Sequence, residues 1–149
     1  MKKNIIFSIL FLGGILLAAQ GALAQASNKH KRQLHINAMG EVSDDQGTKL
    51  GYISKEEIVY NNKGEKLGFF ENGKVYDAEG KPIGKAKKNG TYRNNNGENI
   101  MIVKGDGDIC EILDPKGHKM GTVHKNYKLH ACATHCFFME KEVSKTKDK

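Results

Sequence analysis

Glycine at a fixed place in a recurring turn constrains this chain more than any other feature. Five segments read Asp/Asn-x-x-Gly-x-x-apolar-Gly-x-apolar, beginning at Asp44, Asn61, Asp77, Asn94 and Asp114. Their turn glycines are Gly47, Gly64, Gly80, Gly97 and Gly117, at spacings of 17, 16, 17 and 20. Asp or Asn at the first place of a type I turn accepts a hydrogen bond from backbone two residues on. Glycine at the fourth place takes a positive φ without steric cost, as a hairpin turn followed by a bulge requires. Pro115 fits the same turn, because its fixed φ suits the second place.

The flanks have strand character. Leu50, Leu67, Ile83, Ile100 and Met120 stand three residues after each turn glycine, and Ile53, Phe70, Ala86, Val103 and Val123 three further on. Gly51, Gly68, Gly84 and Gly121 directly follow the first apolar place, where only Met101 departs. Val42, Val59, Val75, Tyr92 and Ile112 precede each turn by two. Asn72-Gly73 and Asn89-Gly90 are two-residue hairpin signals between units, joined by the looser Gly105-Asp106-Gly107. Helical periodicity is missing across these repeats, and their glycines would make helices costly. The pattern predicts an all-β fold of about ten short strands in five imperfect hairpin repeats.

A single hairpin cannot bury its apolar side, so the units must share a core. Five units can stack as an open array or close into a ring, and closure, which removes exposed sheet edges, is the favoured arrangement for a soluble monomer. Residues 34–38 alternate apolar and polar, as a strand that pairs with the last one and fastens the ring would.

The beginning of the chain is laid out as a secretory signal. Lys2 and Lys3 precede an apolar run over residues 5–19, and Ala22-Leu23-Ala24 offers a small-x-small cleavage site before Gln25. The expected organisation is a signal at 1–24, an arm with the closing strand at 25–38, the repeats at 39–128, and a Cys/His-containing apolar segment with a charged tail at 129–149. Removal of the two lysines lowers the formal charge from +7 to +5, and that modest, interspersed excess argues against nucleic acid as a partner. No second apolar stretch is long enough to span a bilayer, so a periplasmic or secreted protein is expected.

The five copies of Asp/Asn-x-x-Gly-x-x-apolar-Gly behind a signal peptide resemble the exported five-fold β-flower proteins. The resemblance covers roughly residues 39–128 and extends to the Ala- and Phe-containing segment 131–138. It implies five β-hairpins about a pseudo-five-fold axis. It carries no assigned activity, so no catalytic residue follows from it.

The final segment reads two ways. As a strand it places His130 and Cys132 on one face. As a helix it brings Cys132, His135 and Cys136 to one side, with His130 near, a soft ligand set suited to zinc or copper. Export also permits a disulfide, and Cys110 bridged to Cys132 or Cys136 would tie the fifth unit to the tail. Asp106, Asp108 and Glu111 imitate only part of a calcium loop. His30 and His35 have no acid or nucleophile at a recognised spacing, and no nucleophile elbow or phosphate-cradling loop is present. The leading expectation is a non-enzymatic binding or structural protein of the envelope or exterior. Tyr52, Tyr60, Tyr76 and Tyr92 are its candidate contacts for a glycan or an envelope protein, with Tyr92 aligned on core positions. The alternative is a metal- or redox-handling protein using the C-terminal Cys/His cluster.

Overall fold

The computed structural model of the protein describes residues 32–147, with side chains as far as Met139. The expected signal at 1–24 lies outside the described residues. Eleven strands close into a single barrel: β1 (Leu34–Ile36), β2 (Glu41–Asp44), β3 (Lys49–Ile53), β4 (Ile58–Asn61), β5 (Lys66–Glu71), β6 (Lys74–Asp77), β7 (Pro82–Ala86), β8 (Tyr92–Asn94), β9 (Asn99–Lys104), β10 (Ile109–Leu113) and β11 (Lys119–His124). All neighbours are antiparallel except at the seam, where β1 lies parallel to β11 in the register Leu34–Gly121, His35–Thr122, Ile36–Val123. A 3-10 turn (Lys125–Tyr127) leads from β11 into helix α1 (Ala131–Lys147). No helix among the described residues is long and apolar enough to cross a membrane.

Each repeat contributes one turn to a common rim. There the Asp or Asn backbone carbonyl accepts from the turn glycine, as in Gly47 N–H to Asp44 at 3.0 Å. The five turn glycines have φ between 79° and 87°. The strand after each turn then carries a bulge, three residues beyond the turn glycine. Val42 faces Gly51 while Ser43 faces Lys49, so Leu50 is the extra residue. Leu67, Ile83, Ile100 and Met120 are skipped in the same way. Bulges add local twist and bend the strand, which is what closing short strands into a narrow ring requires.

The opposite rim is less regular. Asn72 and Gly73 both have positive φ, 51° and 78°, in the expected two-residue turn. Asn89-Gly90 instead belongs to a four-residue turn, in which Gly90 N–H donates to Lys87 and Lys87 N–H to the Thr91 carbonyl. Ser54 to Glu57 repeats that geometry, with Glu57 at φ 62° where other turns use glycine.

Eleven strands enclose more room than wall side chains alone fill, and α1 occupies it. Ala131, Cys132, Ala133, Thr134 and His135 are buried in succession, so the first turn of the helix is covered on every side rather than along one stripe. It enters at the opposite rim, where His130 and Cys132 meet Glu57 and Gly90. Phe137 and Phe138 then reach the level of Gly68 and Gly51. The open choice between a C-terminal strand and helix is thus settled as a helix.

Gly51 and Gly68, which follow two of the bulges, make this packing possible. A Cβ at Gly68 would lie 2.2 Å from the Phe137 ring and 2.5 Å from the Tyr76 carbonyl. At Gly51 it would lie 2.0 Å from the Tyr60 carbonyl. Met101 is tolerated because β9 and β10 pair only as far as Ile102–Leu113, one residue short of the level of Gly51–Asn61 and Gly68–Asp77.

Candidate functional site

The alternation that turns Gly51 and Ile53 inward turns Tyr52 outward. Tyr52 sits opposite Tyr60 on β4, with ring centroids 5.2 Å apart and planes at 26°. One hairpin further on, Phe69 of β5 faces Tyr76 of β6, with centroids 4.8 Å apart and planes at 9°. The Lys66 ammonium lies 4.2 Å above the Phe69 ring, and Lys66 is itself opposite Tyr60. Pro82 faces Tyr76 on the next strand. Two aromatic couples therefore stand on the outside of the barrel over β3 to β6, with Lys66 between them. Tyr52 is 37% exposed and the other three rings are half-buried. Each stacked pair contributes about 0.5–1.5 kcal/mol beyond its area, so each couple is pre-organised. Tyr92 belongs to neither; it lies in the core at 4% exposure, on the level of Val42, Val59, Val75 and Ile112.

The turn residues form a second repeated set. The Asp44 Oδ1 accepts from the N–H groups of Gln46 and Thr48, both at 2.9 Å. The same atom of Asn61 accepts from Lys63 and Glu65, of Asp77 from Glu79 and Lys81, of Asn94 from Asn96 and Glu98, and of Asp114 from Lys116 and His118. One side-chain oxygen thus organises two backbone donors in all five units. The profile of the 5-fold beta-flower protein family matches residues 24–139. The chain belongs to that family. No curated protein and no solved structure matches it.

Within this beta-flower chain the C-terminal cysteines and histidines are engaged separately. The Cys132 thiol donates to the Gly90 carbonyl at 3.2 Å, and burial pushes its pKa strongly up, with Cys136 adding to the shift. The His130 Nε2 lies 3.0 Å from Glu57 Oε1, and its ring packs edge-on to Phe70 with centroids 4.7 Å apart. His135 is buried in the plug at 2% exposure. No group of three or more His, Cys, Asp or Glu among the described residues is placed to hold a metal ion, so Cys132, His135, Cys136 and His130 do not gather as zinc or copper ligands. The expected bridge from Cys110 to Cys132 or Cys136 is not formed either. Cys110 is buried in β10, and its thiol donates to the Gly105 carbonyl at 3.3 Å.

Two constellations lay beyond sequence reasoning. His35 bridges the seam: its Nδ1 is 2.8 Å from Thr122 Oγ1 on β11 and its Nε2 is 3.0 Å from Asp45 Oδ1. The line of hydroxyl, imidazole and carboxylate lies on the barrel wall across the β1–β11 junction, where it clasps the ring. Its members are scattered along the chain, so no local spacing announces it. Phe69 and Lys66 were missed because they occupy variable places of the repeat. Period-two alternation beside the inward Gly68 was the signal that could have put Phe69 on the outer face.

Proposed function

We propose that this protein is an exported, non-enzymatic binding protein of the cell envelope or exterior, and that the outer wall over β3 to β6 is the face that meets its ligand. The observation that carries this reading is the pair of stacked aromatic couples, Tyr52–Tyr60 and Phe69–Tyr76, held on the outside of the barrel. Four aromatic side chains on a wall give up burial that the core would have provided, and flat apolar faces with hydroxyl edges suit saccharide rings. The lumen cannot serve instead, because α1 fills it. The signal layout at 1–24 supports export.

A glycan array probed with the mature protein and with a Tyr60→Ala/Tyr76→Ala variant tests the reading. Binding by the mature protein, weakened about tenfold or more in the variant, is expected from the loss of two aromatic contacts. An array without any ligand would end it.

A further inference from the structure

Beside the aromatic couples the barrel wall carries a row of cations in direct opposition. Lys74 on β6 is paired in register with Lys85 on β7, and Lys85 with Arg93 on β8. All three are exposed. Like charges directly opposite each other on one face of a sheet are destabilising. Elsewhere the wall avoids this: Lys49 pairs with Glu41 at 3.4 Å and Lys119 with Glu111 at 3.1 Å. No carboxylate among the described residues comes within 4.0 Å of Lys74, Lys85 or Arg93, although Glu71 stands opposite Lys74 across β5. Arg93 Nε donates only to the Asn99 amide oxygen, at 2.9 Å.

We propose that the ligand of this wall is an acidic polysaccharide, its carboxylate or sulfate groups held by the ladder Lys74, Lys85 and Arg93 while its sugar faces rest on the neighbouring rings. This rests on the reading of the wall as a binding face and names the ligand's chemical class. Lys74 and Tyr76 are two residues apart on the same face of β6, so charge and ring are adjacent on one surface. Strand spacing sets the three residues ~4.8 Å apart in a row across the sheet, a repeat that a polyanion can follow. Lys66 over Phe69 and the exposed Lys87 and Lys88 extend the positive field on either side. A nucleic acid fits less well, because the chain beyond residue 24 carries only a modest, interspersed formal excess of +5 rather than a strongly basic surface. Repulsion tolerated within the free protein becomes attraction shared by one ligand, and that accounts for keeping the ladder unpaired.

The test is a binding titration of the mature protein with polygalacturonate, with neutral dextran and with single-stranded DNA, at several salt concentrations. It is repeated on a Lys74→Gln/Lys85→Gln/Arg93→Gln variant and on the Tyr60→Ala/Tyr76→Ala variant. Expected is binding to polygalacturonate that weakens steeply with salt, with roughly a tenfold or greater loss and a flatter salt dependence in the triple glutamine variant. That variant should also melt at or above the parent temperature, since relieving repulsion stabilises the wall; a purely structural role for the ladder would lower the melting temperature instead. Equal binding of dextran and polygalacturonate, untouched by the glutamines, would overturn the acidic ligand and leave the aromatic wall standing. DNA bound as tightly as polygalacturonate would overturn it in favour of a nucleic acid. No glycan bound by the parent protein would overturn both the ligand class and the wall.

Discussion

Each Asp or Asn of the rim uses one oxygen to hold two backbone N–H groups that the tight turn points away from the sheet. Asp77→Ala removes both bonds, to Glu79 and Lys81, and should cost about 1 kcal/mol in urea denaturation. Asp77→Asn should be near neutral, since Asn61 and Asn94 do the same work. Asp114 adds a pH dependence. Burial pushes its carboxyl up, but the His118 backbone N–H, the His118 ring and the Lys116 N–H outweigh that and hold it below the ordinary carboxylate range. A carboxyl depressed in the folded state contributes stability that is present above its unfolded value and lost as pH falls through its folded one. Asp114→Asn should therefore flatten the acid limb of stability against pH below the ordinary carboxylate range, which thermal melts on an acid series would show. These residues were legible in the sequence because a turn is a local object with its own chemistry. Glu57 was not, because nothing in Ser54-Lys55-Glu56-Glu57 advertises a left-handed residue.

Among the elements, α1 differs most from its sequence signature. An enclosed helix loses the one-sided apolar stripe that normally identifies it, and alternation at Leu129, Ala131 and Ala133 equally suggested a strand. What decides between them is the closed ring, whose lumen takes the small residues Ala131, Cys132 and Ala133 and whose Gly68 and Gly51 leave room for Phe137 and Phe138. Glu57 accepts a left-handed conformation costing roughly 1–2 kcal/mol, and from there its carboxylate meets His130 just before the helix begins. The two Phe residues then anchor the plug. Phe137→Ala leaves a hole between α1 and β5 and should destabilise the protein by about 3–5 kcal/mol. A chemical denaturation curve with an unchanged slope and a lower midpoint is the expected form; a midpoint equal to the parent's would mean that the helix does not pack into the barrel. The Cys132 thiol and the His135 imidazole are, on this element, part of the packing.

For the whole molecule, five-fold repetition was visible in the chain but closure was not fully specified. Repeats announce hairpins, whereas the join between β1 and β11 links residues nearly ninety positions apart, with His35 bonded to Thr122. Such long-range pairs leave no periodic trace. The closed ring has no free edge, its lumen is occupied, and its rim is taken up by turns, which leaves the wall as the face for the proposed ligand. Aromatic and cationic side chains gather there over β3 to β8, at places where the repeat allows any residue. The most direct test is an amide chemical-shift titration of the mature protein with an acidic oligosaccharide. Shifts concentrated at Tyr52, Tyr60, Phe69, Tyr76, Lys74, Lys85 and Arg93, with little change at His35, Thr122 and the Asp/Asn rim, are the expected result. Shifts centred on the seam or on the His130–Glu57 mouth, or none at all, would contradict the account.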